Sequence, residues 1–514
     1  MTEATRSLKD GGLAAFLLDH EDPADTPVLH WKDGSRTRGE LVEAVKTLAG
    51  RLGPVAGQPV TCLVDDGVRA ITTMFATWLA GGVYVPVNAR LTDAEVRAQL
   101  RATRPAVVVT GTAQAARVPE EFGLLVEEAP GRWTSLRPAT PSAERRYGED
   151  EAVVMRTSGT TGESKPVVLG HKGVRDGIDT VIAKLRGGGA GSGRPPMPNL
   201  IPTSQALWAG AWNALFSFRL GAAVILMDRF DPVDYAGLVR RFGLRSTILA
   251  PAMMAMLAED PRVEHLGELR FVRSVTAPLA PDQARRFRER FGVDVLNSYG
   301  QTELGGEVVG WTAADTRAFG VSKLGAVGRP HPGVEVRVLD EAGRGLPADG
   351  TGEIWVRSPF AHEADLPADR VVDGFLRTGD LGRLDAEGFL WIEGRVSDMV
   401  NRGGLKIVPQ EVEAALRRHP AVADACVAGV PDARLGEVPV AWVRPARQAG
   451  GVETRPEEAE LLAFLREDLA GYKVPVAVRF VDGDFPRTEI GKVLRRELVA
   501  SFDGTRSPEQ TENR

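Results

Sequence analysis

Short runs of β-branched and aliphatic residues recur through the first part of the chain: AVVVT (106 to 110), AVVM (152 to 155), AAVILM (222 to 227) and STILA (246 to 250). Continuous apolar runs of this length predict strands covered on both faces. Between them lie stretches whose apolar residues return every three or four positions. Examples are DAEVRAQLRAT (93 to 103), DYAGLVRRFG (234 to 243) and PDQARRFRERFG (281 to 292), each bounded by Gly, Pro or Asp. That period predicts amphipathic helices, and their alternation with strands predicts βαβ units around a largely parallel sheet. The expected body is α/β.

Near residue 396 the pattern changes. The helical stretches PQEVEAALRRHP (409 to 420) and EEAELLAFLREDLAG (457 to 471) flank the strand-like ACVAGVP (425 to 431) and PVAWVRP (439 to 445), the content of a small α+β domain. The expected organisation is a large multi-sheet N-terminal domain over 1–395, a small C-terminal domain over 396–502 and a disordered tail over 503–514. The Gly/Pro-rich stretch 186–198 is expected to be a surface loop, because periodic patterning resumes on both sides. No internal repeat occurs.

Composition narrows the function. The 514 residues are 43% hydrophobic and carry a formal net charge of −6, which argues against disorder and against a dedicated nucleic-acid surface. Cys62 and Cys426 stand far apart, and the seven histidines have no metal-ligand spacing, so neither a disulfide framework nor a structural zinc site is expected. A reducing cytoplasm fits this usage. The N-terminus has no basic region followed by an apolar core, and no run approaches about 18 apolar residues, so neither signal peptide nor membrane span is expected.

The segment MRTSGTTGESKPVV (155 to 168) is the most informative. After a strand it offers the hydroxyls of Thr157, Ser158, Thr160 and Thr161, the glycines Gly159 and Gly162, and then Lys165. Glycines let backbone N–H groups converge, while hydroxyls and a lysine complement phosphate oxygens. The segment reads as a phosphate cradle. It is not a Walker A loop, because Ser164 precedes the lysine and Pro166 follows it.

TSGTTGESKP resembles the phosphate loop of the adenylate-forming superfamily, which includes acyl-CoA synthetases. The resemblance continues in chain order through GGVYVPVNARLT (81 to 92), APL (277 to 279), NSYGQTE (297 to 303), GEIWVR (352 to 357), RTGDLGRLDAEGFLWIEGR (377 to 395), GGLKIVPQEVE (403 to 413) and PRTEIGKVLRREL (486 to 498). It implies a large α/β N-terminal domain that binds ATP and the acyl group, and a mobile α+β C-terminal domain that carries a catalytic lysine.

The resemblance also implies roles. Tyr299 supplies an aromatic face for adenine and Asn297 an amide for its edge, with Ala277, Pro278, Ser298 and Gly300 around the nucleotide. Thr302 contacts the α-phosphate and Glu303 holds Mg²⁺. Asp380 accepts hydrogen bonds from the ribose hydroxyls, and Arg395 binds the same sugar or its phosphate. Lys492 bridges the substrate carboxylate and the α-phosphate, neutralising repulsion between two anions in a water-poor site. The small domain rotates about a pivot just after Gly394-Arg395, and Gly403 and Gly404 leave a channel for the pantetheine arm of coenzyme A.

Two positions depart from the usual pattern. The pivot residue, most often Asp or Lys, is Ser397. In PTSQALWAG (202 to 210) the polar Gln205 stands where an aromatic or histidine is common. Amino-acid-activating relatives carry an aspartate in that segment; none occurs from Ile201 to Gly210, which disfavours an α-amino acid. Trp208 with the small residues Gly210 and Gly305 reads either as a pocket for a bulky or aromatic acid or as helix packing.

The expected activity is ATP- and Mg²⁺-dependent activation of a carboxylic acid to acyl-AMP, followed by transfer to coenzyme A. The alternatives are transfer to a carrier-protein thiol or an amine, or one half-reaction alone. A nucleotide-binding regulator without turnover is the competing class. The implied partners are small molecules, with a monomer or homodimer expected.

Overall fold

The computed structural model describes residues 12–20, 22–144, 146–158, 164–186, 196–361, 366, 368–446, 455–487 and 493–502. The chain divides into two compact units. The first comprises Met1–Val275, Arg286–Val336 and Trp355–Arg377; the second comprises Thr276–Arg285, Arg337–Ile354 and Thr378–Arg514. The strand Phe375–Leu384 runs through the division. The expected tail 503–514 and most of the Gly/Pro-rich stretch lie outside the described residues.

The first unit is built on a seven-stranded sheet ordered Arg132–Arg137, Gly123–Ala129, Val107–Gly111, Pro59–Val64, Val83–Asn88, Glu151–Ser158, Ser164–Gly170. The five inner strands pair in parallel and each edge strand pairs antiparallel. Strands Pro59–Val64 and Val83–Asn88 are buried at every position, as expected for a sheet covered on both faces. A second sheet orders Asn199–Ile201, Val224–Leu226, Pro27–Trp31 and Gly34–Thr37. A third, all parallel, holds Ser246–Leu249, Phe271–Ser274 and Asp294–Asn297.

Helix Gly67–Leu79 is buried around most of its circumference, with Ile71, Met74, Phe75 and Trp78 in the largest core alongside Leu29, Val60 and Phe218. Its Asp66 cap accepts a hydrogen bond from the Arg69 backbone N–H, satisfying one of the unpaired donors at the helix start. Helix Asp93–Thr103 keeps the boundaries its apolar period predicts. Thr92 and Glu95 form a reciprocal capping box at its start, and Arg104 ends it in the left-handed conformation at φ 46°.

In the second unit the two strand-like stretches join into one long hairpin, Val422–Asp432 with Gly436–Pro445. Helices Pro409–Arg417 and Glu458–Asp468 cover it, burying Val412, Leu416, Leu461 and Leu465 against Val427 and Val443. A charged group is buried here as well. Glu413 takes a hydrogen bond from the Val427 backbone N–H at 2.9 Å and pairs with Arg495 at 2.6 Å and Arg417 at 3.3 Å. Cys62 and Cys426 are buried free thiols, each pushed up to about 12 by burial. No helix among the described residues is long and apolar enough to cross a membrane.

Candidate active site

In the first unit the parallel strand Asp294–Asn297 delivers Asn297 opposite Ser274 at the strand end. Ser298 donates to the Ser274 carbonyl at 3.2 Å, which turns the chain into the short strand Tyr299–Gln301. Asn297 and Tyr299 are buried. A single 3₁₀ turn, Thr302–Leu304, follows and ends on Gly305 at φ 83°. The turn holds Glu303 with its carboxylate 3.9 Å from the Arg370 guanidinium. Gly300 is obligatory, since a Cβ there would stand 1.9 Å from the Gly306 carbonyl oxygen. Backbone closeness therefore fixes where the Thr302 and Glu303 side chains start.

The two strands of the segment read as a phosphate cradle pair antiparallel, with Thr157 opposite Lys165 and Ser158 opposite Ser164. The strands extend to Ser158 and resume at Ser164, so Thr157 and Ser158 lie on strand rather than loop backbone. The apolar run AVVM ends at residue 155, but the strand continues for three more residues because its antiparallel partner satisfies the backbone beyond that point. Gly159, Thr160, Thr161 and Gly162 lie outside the described residues.

Gln205 precedes helix Trp208–Leu220, which is apolar around its whole circumference and correspondingly buried. Gln205 is 4% exposed, yet neither its amide oxygen nor its amide nitrogen has a hydrogen-bond partner; the same holds for Thr203 Oγ1 and the Trp208 indole nitrogen. The glycines nearby make room for protein. A Cβ on Gly210 would lie 2.2 Å from the Ser204 carbonyl, one on Gly305 2.6 Å from the Phe360 carbonyl, and one on Gly306 2.7 Å from the Trp212 indole nitrogen. Trp212 in turn stacks on Phe216 at 5.4 Å.

Behind the Thr302–Leu304 turn lies a buried charge group that linear order does not announce. Glu307 pairs with Arg273 and lies 3.1 Å from His331 Nε2. Lys184, on helix His171–Arg186, donates to the Gly310 and Arg329 carbonyls at 2.8 and 2.9 Å. Burial drives Lys184 down to about 8 and lowers His331, against the pull of Glu307. Burial opposes ionisation of Glu307, but Arg273 and His331 outweigh it and hold its carboxyl below the ordinary value. The signal available in sequence was a charged residue inside the short strand GEVVG.

In the second unit Asp380 and Arg395 face each other across the hairpin of Phe375–Leu384 and Leu390–Arg395. Arg395 Nε is 3.0 Å from Asp380 Oδ1, and Asp380 is only 5% exposed. Thr378 Oγ1 accepts from the Asp380 backbone N–H at 3.1 Å and donates to the Ile354 carbonyl at 2.6 Å, fixing the strand just before the acid. Ser397 sits on the next 3₁₀ turn and donates to Asp398 at 3.2 Å, whose other oxygen meets Arg495 at 3.3 Å.

Gly403 and Gly404 link Val400–Arg402 to Leu405–Ile407 with φ of 60° and 90°. Positive φ at both central residues is the requirement of a two-residue hairpin, which explains both glycines without reference to a ligand. Ala277 and Pro278 follow Thr276, a β-branched residue held at φ 75°. Lys492 lies outside the described residues. Among the described residues no cluster of three or more His, Cys, Asp or Glu side chains forms a metal cage. A single carboxylate at Glu303 nevertheless fits Mg²⁺, which takes most of its ligands from phosphates and water.

The first unit thus presents a buried aromatic and a carboxylate on one short strand-and-turn segment, and the second an acid–guanidinium pair across a hairpin. Residues 19–363 match the family model described as AMP-binding enzyme, and residues 411–492 match the AMP-binding enzyme C-terminal domain. The chain belongs to this adenylate-forming family and is a ligase of the acyl-CoA synthetase type. It is similar to a feruloyl-CoA synthase from Amycolatopsis sp, with 31% identity over 91% of this chain and 94% of the relative. It is also similar to the fatty acid–[acyl-carrier-protein] ligase ScoC from Streptomyces coeruleorubidus, with 30% identity over 95% of this chain and 96% of that one. The solved amide bond synthetase McbA from Marinactinospora thermotolerans superposes with a TM-score of 0.81 at 29% identity, covering 97% of this chain and 100% of that one. The architecture expected from sequence, a large multi-sheet α/β part and a smaller α+β C-terminal part, is the one observed.

Proposed function

We propose that this protein converts a carboxylic acid and ATP to acyl-AMP and pyrophosphate, and then transfers the acyl group to the thiol of coenzyme A. One observation carries the first step: Tyr299, Thr302 and Glu303 project from a short segment whose backbone is locked by Gly300 and Gly305. A fixed aromatic, hydroxyl and carboxylate match adenine, α-phosphate and a phosphate-bound magnesium ion respectively. In this reading Asp380 and Arg395 hold the ribose, and the hydroxyls of Thr160 and Thr161 with Lys165 hold the leaving phosphates.

The acid's carboxylate oxygen attacks the α-phosphorus, the bond to the bridging oxygen breaks, and pyrophosphate leaves with the electron pair. Little covalent chemistry falls to the protein, which positions the reactants and offsets charge. Mg²⁺ bound at Glu303 would supply charge neutralisation on the phosphates. Lys492 offsets the repulsion between carboxylate and phosphate. In the second step the thiolate sulfur attacks the acyl carbon, and AMP leaves. Ser397 serves as the pivot for the small domain between the steps, with Gly403 and Gly404 beside the pantetheine arm.

The acid is bulky or aromatic and not an α-amino acid; Gln205 and Trp208 are its contacts. A second reading sends the acyl group to a carrier-protein thiol or an amine, favoured by the similarity to ScoC and to McbA. Mass spectrometry of reactions with ATP, Mg²⁺, a panel of aryl and alkyl acids and either CoA, an amine or neither tests both. Acyl-CoA is the expected product. Acyl-AMP converted only by the amine would replace the CoA assignment, and ATP binding with no pyrophosphate release would overturn catalysis altogether.

A further inference from the structure

Within the first unit, four parallel strands from two sheets end around one cavity. They are Pro59–Val64 and Val83–Asn88 from the seven-stranded sheet, and Asn199–Ile201 and Val224–Leu226 from the four-stranded sheet. The cavity has a volume of about 170 Å³. A space of roughly 150 Å³ accommodates a six-carbon ring, so a small organic molecule fits. Crevices beyond the carboxyl ends of parallel strands are the usual ligand sites of such sheets.

Its walls have a distinctive chemistry. Thr203 and Gln205 line the cavity, are 5% and 4% exposed, and leave a hydroxyl and both amide heteroatoms without a hydrogen-bond partner. Buried polar groups of this kind are normally satisfied, and leaving one unsatisfied costs about 1–3 kcal/mol. Among the described residues, three carboxylates, Asp65, Asp66 and Asp228, also line the cavity, against a single guanidinium, Arg90. Asp66 accepts from the Arg69 backbone N–H at 2.7 Å and Asp228 from the Gly67 backbone N–H at 3.0 Å through one oxygen each. Arg90 donates to the backbone carbonyl of Asp228 at 2.7 Å. Asp65 pairs with Arg69, whose guanidinium is shared with Glu127 at 2.8 Å. The wall is therefore net negative, with unused acceptors at the buried end.

We propose that this cavity binds a small organic ammonium ion that also carries a hydrogen-bonding group, the ammonium lying against Asp65, Asp66 and Asp228 and the other group against Thr203 and Gln205. The aspartates come from strand ends far away in sequence, so the absence of an acidic residue from 201–210 does not exclude a cationic ligand. The site borders the proposed acyl pocket at Gln205 but does not require acyl-AMP chemistry, and binding alone tests it.

The probes are 4-amino-1-butanol, its neutral isostere 1,4-butanediol and the anion 4-hydroxybutanoate, titrated into the full chain at pH 7 and followed by ligand-observed NMR. The amino alcohol is expected to bind at least tenfold tighter than the diol, and the anion more weakly than either. Asp228→Asn keeps an acceptor for the Gly67 N–H and removes the charge; it is expected to weaken amino-alcohol binding at least fivefold and leave the diol unchanged. Gln205→Leu is expected to weaken both. Equal binding of diol and amino alcohol, indifference to Asp228→Asn, or displacement of the probe by submillimolar Mg²⁺ alone would each overturn the proposal. Pyrophosphate release with an acid panel is measured separately on wild type and on Asp228→Asn, a residue outside the proposed acyl contacts, so failure of the cation site and failure of the acyl-AMP reading are told apart.

Discussion

Asp380 and Arg395 are Cα partners across two antiparallel strands, with Arg395 Nε 3.0 Å from the buried Asp380 carboxylate. The pair ties the middle of strand Phe375–Leu384 to the last residue before the Val396–Asp398 turn. A carboxylate held this way is pre-oriented, as the proposed contact with the ribose diol requires.

Asp380→Asn therefore removes the charge while keeping the shape. It is expected to raise the KM for ATP at least tenfold in pyrophosphate exchange, with a melting temperature within a few degrees of the parent. Unchanged ATP dependence would remove Asp380 from the nucleotide site.

Lys492→Ala is expected to lower adenylate formation by more than tenfold while sparing thioester formation from a supplied acyl-adenylate. Separate assay of the two half-reactions checks this. An equal loss in both would assign the lysine a structural role instead.

Lys184 carries a pH dependence of stability. Its folded-state value is about 8, below the ordinary 10.5, so between these pH values the unfolded chain holds a proton that the folded chain has released. Stability must rise with pH across that window on account of this group. The difference in denaturant midpoint between wild type and Lys184→Met should move in favour of wild type from pH 8 to 10.5. A constant difference would show that Lys184 is not buried as described.

Two glycines should respond oppositely to alanine. In Gly300→Ala the new methyl would stand 1.9 Å from the Gly306 carbonyl, and overpacking of this kind costs about 1–3 kcal/mol. Gly237 lies within helix Pro232–Arg241, and a methyl added there would meet nothing within 4 Å, so Gly237→Ala should stabilise by about 0.5–1 kcal/mol. Urea denaturation of both variants reads the sign directly.

Much of the architecture was legible in the chain. The apolar runs became buried parallel strands, and Asp93–Thr103 and Pro281–Phe291 match their periodic stretches almost residue for residue. Strand and helix periods are local properties, set by how side chains project from the backbone. The Asp380–Arg395 pairing was also accessible, because a hairpin converts fixed sequence spacing into a fixed register.

Elsewhere local order was silent. The pairing of Glu307 with Arg273 and His331, in the field of the nearby Lys184, joins four separate segments. The cavity at Gln205 takes its charge from Asp65, Asp66 and Asp228, which only adjacent strand ends bring together. Gly210 and Gly305 fit pocket and packing equally well as sequence, and only their carbonyl neighbours distinguish the two. The sequence by itself determined the family and the succession of elements, because these depend on periodicity and contiguous motifs. Tertiary structure decided which buried polar groups are neutralised and which are left unsatisfied, because burial and Coulomb energy depend on distances between segments that sequence separation does not encode.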